Sequence, residues 1–234
     1  MLDNQQVAEN IEKARMRIAE YCKRCNRTEK PLLLAATKTV PVEQINFVIR
    51  ECGITDIGEN RVQELLEKYD SLDKSVHLHF IGRLQRNKVK YIIDKVCMIQ
   101  SADSLPLIEE IEKQADKLGI VQDILLEVNI GGEAAKSGFA PEAVSEAASH
   151  AKELSHVRVR GLMTIPPASA TQAENMVYFQ KVHALYVDIN QKMYDNELDY
   201  LSMGMSGDFA DAIRAGSNMV RVGTAIFGAR DYTK

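Results

Sequence analysis

Short apolar runs with strand character alternate with longer amphipathic stretches along nearly the whole chain, and they do so eight times. Repeated strand-helix units of this kind bury both faces of a parallel sheet, and eight is the number that closes such a sheet into a barrel. Strands are expected at residues 32–37, 56–58, 77–81, 96–100, 123–129, 159–164, 200–205 and 219–227. Helical stretches are expected between them at residues 42–51, 61–69, 85–93, 105–118, 141–154, 173–193 and 208–215, with an extra helix at about residues 5–25 in front. Pro41 and Pro141 suit first helical turns, while Gly53, Gly119 and Gly216 follow helical patterns where a left-handed cap is wanted. The 234 residues therefore read as one α/β domain, a single (β/α)8 TIM barrel at about residues 31–230.

Composition narrows the function classes. Hydrophobic residues at 45% and charged residues at 26% are ordinary globular values and exclude a disordered or fibrous chain. A net charge of −4 gives no global attraction to nucleic acid or to an anionic membrane, so neither is expected as a partner. No apolar run approaches the ~18 residues of a membrane span, and the start lacks a charged region followed by an apolar one, so a cytoplasmic location is expected. The four cysteines, Cys22, Cys25, Cys52 and Cys97, are too few and scattered for a disulfide scaffold. Cys22 and Cys25 form a C-x-x-C, but no second pair completes a zinc site and both fall in a helical pattern, so no metal is expected.

Lys38 closes the run PLLLAATK at residues 31–38, a lone ammonium at the end of a strand-like segment. Desolvation there favours the neutral amine, the nucleophile that forms a Schiff base with a carbonyl compound; the alternative is a lysine that snorkels its charge into water. A parallel barrel collects the C-terminal ends of its strands on one face, where active sites are built. With Lys38 that face would gather Glu59, Asn60, Gly82, Arg83, Ser101, Asp103, Asn129, Thr164, Ser206 and Thr224.

The segment SMGMSGDFADAIR, residues 202–214, reads as a strand that breaks at Ser206 and Gly207 and enters a helix, whose free amides and dipole favour an anion. Gly223 and Thr224 follow the last strand, and barrels of this class often hold phosphate between their last two loops, so a phosphate site is expected there; a plain N-cap is the alternative for Ser206. By period-two alternation Arg221 shares a face with Gly223 and opposes Val220 and Val222. It is expected inside the barrel, hydrogen-bonded either by a ligand or by structural partners. The run GGEAAKS at residues 131–137 has the look of a P-loop, but Ala135 stands where its second glycine belongs, and nucleotide binding is not expected. Arg83, Arg86, Lys88 and Lys90 form a basic cluster without interleaved aromatics, a solvated helix face or a second anion site.

The segments AATKTVP (35–41), GENRVQE (58–64), HFIGRLQRNK (79–88), SMGMSGD (202–208) and VRVGTAIFG (220–228) resemble, in this order, those of the pyridoxal phosphate homeostasis proteins, also described as YggS-like or proline synthetase co-transcribed homologues. The likeness runs from about Leu33 to Asp231. It implies the barrel domain of alanine-racemase-like, fold-type III pyridoxal phosphate proteins, with Lys38 holding pyridoxal 5′-phosphate covalently as the internal aldimine. Ser206, Gly223 and Thr224 match positions around the cofactor phosphate, with Gly207 beside them. Arg221 matches the arginine facing the pyridine nitrogen, and Asn60 falls in a motif beside the ring.

A cation opposite that nitrogen disfavours the protonated ring and weakens the cofactor as an electron sink. Racemases with this barrel also carry a second, mostly β domain, which brings a tyrosine acid/base from a partner subunit, whereas this chain stops at Lys234. The resemblance thus implies a monomeric carrier with no catalytic residue, acting in intracellular vitamin B6 homeostasis, with apo pyridoxal phosphate enzymes as recipients. Two readings stay open beside it. One is an amino-acid racemase or decarboxylase using Lys38 and a second proton-transfer group such as His79; the other is a Schiff-base aldolase in which Lys38 attacks a sugar phosphate.

Overall fold

The computed structural model describes residues 2–133 and 136–229. Ala135 of the P-loop-like run, together with Asp231 and Lys234, lies outside the described residues. Strand β1 spans Leu32–Ala36, β2 Asp56–Glu59, β3 His77–Phe80, β4 Met98–Ala102, β5 Gln122–Val128, β6 Val157–Thr164, β7 Tyr200–Ser202 and β8 Met219–Val222. Each pairs in parallel with the next, and β8 returns to β1 with Val222 opposite Ala35, closing the barrel. Around it lie α1 (Asn4–Arg24), α2 (Val42–Arg50), α3 (Val62–Tyr69), α4 (Val89–Ile92), α5 (Leu105–Leu118), α6 (Val144–Lys152), α7 (Gln172–Met193), α8 (Phe209–Arg214) and α9 (Thr224–Phe227). This is the barrel with an extra N-terminal helix that the alternation calls for.

Helix α1 starts at a capping box, in which Asp3 and Gln6 satisfy each other's backbone amides. Its buried stripe of Val7, Ile11, Ala14, Ile18 and Cys22 recurs every three or four residues, and the helix packs along α8 and α9. Cys22 is the last member of that stripe and Cys25 is the C-cap, so the C-x-x-C serves packing and helix termination.

The barrel strands bury side chains on both faces. Val220 and Val222 join the main core between barrel and helices. Met219 instead packs with Leu34 and Ile81 inside the barrel, where a second cluster holds Met98, Leu125 and Met163. Full burial of such a side chain stabilises by roughly 1.5–3 kcal/mol. Period two then puts Arg221 on the inward face with Met219, as the sequence pattern requires.

The end of the barrel differs from expectation. Strand β8 does not run over residues 219–227; it stops at Val222, and Thr224–Phe227 is helix α9. The amides of Gly223 and Ala225 donate to Ser206 Oγ rather than to a neighbouring strand, while those of Ile226 and Phe227 bond back to the Gly223 carbonyl. A short apolar run fits either element, and here the hydrogen-bond partners decide. Strand β7 stops at Ser202 rather than at residue 205, because Gly204 turns the chain with φ 95° and lies too close to Phe209 and Ala212 to carry a Cβ. Strand β4 lies two residues later than expected, and residues 85–93 and 141–154 each begin with a 3-10 turn.

One irregularity shapes β6. Ile124 faces Val159 but Leu125 faces Gly161, which leaves Arg160 as an extra, bulged residue. Arg160 uses the kink to reach Asp123 Oδ2 with Nη1 at 2.9 Å and Asp199 with Nε.

Candidate functional site

Lys38 sits two residues past the C-terminal end of β1, half-buried. Its flanks are held by side-chain hydrogen bonds from both sides. Thr37, fully buried, donates through Oγ1 to Glu59 Oε1 at 2.7 Å, and Lys68 Nζ donates to the Thr37 carbonyl at 3.0 Å and to Glu59 Oε1 at 2.8 Å. On the other side the Thr39 amide donates to Glu64 Oε2 at 2.8 Å. Thr39 adopts φ 63°, which a β-branched residue avoids, so these contacts impose a sharp turn directly after Lys38. Burial pushes the Glu59 carboxyl above its ordinary value, against the pull of the Lys68 ammonium and the hydrogen bonds from Lys68 and Thr37.

Barrel closure brings the last two loops beside this turn, because β1 and β8 are neighbours. The Gly223 and Ala225 amides converge on a single oxygen, Ser206 Oγ, at 3.3 and 3.1 Å. Ser206 is therefore not an N-cap: helix α8 begins at Phe209 with Asp208 before it, and the amides that meet at Ser206 come from the start of α9. An oxygen that accepts two amides keeps its own hydrogen to donate. Thr224 is exposed beside it, and Gly207 sits in an exposed turn with open space where a Cβ would be.

Arg221 lies below these loops, 3% exposed. Its Nη1 donates to Ser202 Oγ at 2.6 Å and its Nη2 to the Thr164 carbonyl at 2.9 Å. Burial pulls the guanidinium down to about 10, although the charges of Asp208 and Glu127 oppose the shift. Burial likewise pushes up the Asp208 carboxyl, offset by the Met205 amide and by Arg221.

Glu127 is buried too, and its Oε2 meets no hydrogen-bond partner while Oε1 accepts from Ser137 at 3.0 Å. Burial raises its carboxyl above the ordinary value, against the Ser137 hydrogen bond and the charges of Arg221 and Arg83. A folded-state value above the unfolded one means that the group's stabilising contribution is fully present below the unfolded carboxylate range and is lost as pH rises through the raised value. Glu127→Gln should remove that loss, so in urea unfolding from about pH 4 to about pH 8 the variant gains on the wild type as pH rises. Parallel stability curves for the two proteins would show that Glu127 does not titrate in this way.

Asn60 follows β2, and its backbone carbonyl lies so close to Gly82 that a Cβ there would come within 2.0 Å of it. Asn60 lines a cleft of about 1070 Å³ between the loops after β2, β3 and β4, together with Arg61, Arg83, Arg86, Lys88 and Tyr91. Three members of the expected basic cluster, Arg83, Arg86 and Lys88, thus line this cleft, and Lys88 and Lys90 lie 5.5 and 5.0 Å from the Tyr91 ring. His79 is 3% exposed and committed at both ring nitrogens, to Asp56 Oδ1 at 3.0 Å and to Gln100 Nε2 at 3.1 Å. It is not available as a second acid/base at the mouth. Among the described residues no group of three or more His, Cys, Asp or Glu could hold a metal ion, and no helix is long and apolar enough to cross a membrane.

Sequence reasoning missed the Ala225 amide, which no side chain announces, and Ser202, Gln100 and Asp56, polar residues on inward strand positions. For these last three a signal exists, since a polar residue at an inward position of an otherwise apolar strand needs a buried partner.

The family model for the N-terminal domain of alanine racemase matches residues 2–231. A pyridoxal phosphate homeostasis protein of Aquifex aeolicus is 48% identical over 229 residues, covering 96% of this chain and 98% of that protein. The crystal structure of an unknown protein from Bifidobacterium adolescentis superposes with a TM-score of 0.92 at 33% identity, covering 97% of this chain and 98% of that one. PipY of Synechococcus elongatus, solved with pyridoxal phosphate bound, superposes with a TM-score of 0.82 at 29% identity, over 95% of this chain and all of that one. A closed eight-stranded barrel, a lysine at the end of its first strand and matches that span almost the whole chain agree: this protein belongs to the alanine racemase N-terminal domain family, among the pyridoxal phosphate homeostasis proteins.

Proposed function

We propose that this chain binds pyridoxal 5′-phosphate as a Schiff base on Lys38 and acts as an intracellular carrier and buffer of the cofactor, with little or no catalysis. The observation that carries the reading is the convergence of the Gly223 and Ala225 amides on one oxygen position beside the strand that leads to Lys38. That donor set fits a phosphate monoester, since a phosphate oxygen can take the place of Ser206 Oγ as acceptor while the Ser206 and Thr224 hydroxyls donate to its neighbours. The names of the relatives and the ligand of PipY support it.

When bound, pyridoxal phosphate supplies an electrophilic aldehyde carbon and an electron-accepting ring. Lys38 would hold the aldehyde carbon through Nζ, from the sharp turn that Thr39 makes after β1. Gly207 leaves room for the phosphate group. Asn60, just past the end of β2, would stand beside the ring. Arg221 would present its cation to the ring nitrogen, which would disfavour protonation there and leave the ring a poor sink for carbanion charge. Together with the committed ring nitrogens of His79, this favours a carrier over a racemase. Apo enzymes that use the cofactor would be its recipients, and the carrier would work as a monomer in the cytoplasm.

The test is the near-visible spectrum of the purified, cofactor-loaded protein before and after borohydride, followed by peptide mapping. A yellow protein whose reduced pyridoxyl group maps to Lys38, without enzyme-like exchange of solvent deuterium into amino-acid Cα positions, is the expected result. A colourless protein that cannot be reconstituted would sink it.

A further inference from the structure

Five buried side chains from five strands form one unbroken hydrogen-bonded line across the barrel interior. Arg221 of β8 donates to Ser202 of β7 at 2.6 Å, and Ser202 Oγ donates to Gln100 Oε1 of β4 at 2.7 Å. Gln100 Nε2 donates to His79 Nδ1 of β3 at 3.1 Å, and His79 Nε2 donates to Asp56 Oδ1 of β2 at 3.0 Å. All five are at most 4% exposed. Asp56 stands at the first residue of β2, where Thr55 Oγ1 donates to its Oδ2 at 2.7 Å and the exposed His77 comes within 3.4 Å of Oδ1.

The line has a single direction. Asp56 accepts, so His79 carries its proton on Nε2 and leaves Nδ1 as an acceptor for the Gln100 amide. That amide is doubly fixed, because Gln100 Nε2 also points its other hydrogen at Met219 Sδ, 3.1 Å away. Every proton along the line thus points from the guanidinium towards the carboxylate. The buried cation at the site is tied to a carboxylate at the opposite end of the barrel through neutral groups whose dipoles are aligned head to tail.

We propose that Gln100 is a positioning residue for Arg221: it polarises Ser202 from below and so fixes the guanidinium beneath the cofactor ring. This rests on the proposed function for the ring contact, but the line itself belongs to the protein without ligand. Gln100 bonds to Ser202, His79 and Met219, so an effect of its replacement on Arg221 reports transmission through Ser202.

The experiment compares wild type, Gln100→Leu, Ser202→Ala and Ser202→Thr in two ways. In the protein without cofactor, 15N NMR reads the His79 tautomer and the hydrogen exchange of the Arg221 guanidinium. In the loaded protein, the visible band and the dissociation constant for pyridoxal phosphate are read. Expected are a neutral Nε2–H tautomer in wild type and faster Arg221 exchange in Gln100→Leu and Ser202→Ala. A shifted band with affinity about tenfold weaker, the equivalent of one lost hydrogen bond, should accompany it, and Ser202→Thr, which keeps the oxygen, should restore both. Unchanged Arg221 exchange and an unchanged band in folded Gln100→Leu overturn the proposal, and Ser202→Ala decides in the same way if Gln100→Leu does not fold. If wild type binds no pyridoxal phosphate, the proposed function fails and the guanidinium exchange alone decides: faster exchange in the variants upholds the positioning role, and equal exchange overturns it.

Discussion

Lys38→Ala should leave no borohydride-reducible pyridoxyl adduct, where wild type fixes close to one equivalent under the proposed function. The physical reason is that a Schiff base needs an amine that can shed its proton and reach the aldehyde carbon. Lys68 is a competitor beside the flank of Lys38, but its ammonium donates to Glu59 Oε1 at 2.8 Å and to the Thr37 carbonyl at 3.0 Å. Both acceptors already engage its Nζ. Lys136 is similarly engaged, with Nζ 2.7 Å from Glu133 Oε2 and donating to the Pro166 carbonyl. Alanine removes the side chain without touching Thr37 or Thr39, whose contacts are made through their own atoms, so the variant should melt close to wild type. The phosphate donors remain, and weak non-covalent binding should persist in equilibrium dialysis. An adduct that stays stoichiometric in Lys38→Ala, wherever it maps, would remove Lys38 from the role assigned to it.

Gly161→Ala should destabilise the fold by about 3 kcal/mol or more, among the larger single-residue effects available to this chain. Gly161 lies in β6 opposite Tyr200 with φ 151°, and a Cβ there would come 1.7 Å from the Tyr200 carbonyl oxygen and 2.7 Å from its carbonyl carbon. These are backbone atoms, so no side-chain rotation relieves the clash; either β6 and β7 separate or the bulge at Arg160 is lost. Strand β7 has only three residues, and losing its pairing opens the barrel next to Ser202 and Arg221. Urea unfolding should show a lower midpoint with little change in slope, and apo protein should lose protection at Leu201 and Ser202 in hydrogen exchange. A loss below about 1 kcal/mol would mean that the bulge absorbs the methyl group by sliding.

Much of this protein is readable from residue order because the readable part is local. Eight alternations of strand and helix character, the ammonium at the end of the first strand and the period-two pattern around Arg221 are matters of neighbours a few residues apart. The structure keeps each of them: a closed barrel, Lys38 at the turn after β1, Arg221 inside with Met219. The segment at residues 223–228 is less readable, since its apolar run suits a strand as well as the helix within it, and Ser206 suits an N-cap or an anion-binding helix start, whereas that helix begins three residues later, at Phe209.

What the chain order determined by itself, then, is the fold class, the place of Lys38 and the inward side of β8, because side-chain periodicity follows from backbone geometry alone. What only the tertiary structure decided is who bonds to whom across the barrel. Ser206 meets the Gly223 and Ala225 amides, Glu59 meets Thr37 and Lys68, and Arg221 connects through Ser202, Gln100 and His79 to Asp56. Those partners stand from 9 to 102 residues apart in sequence. Each buried polar group must find a partner once water is excluded, and which one it finds is set by the closure and register of the strands, a property that no single segment carries.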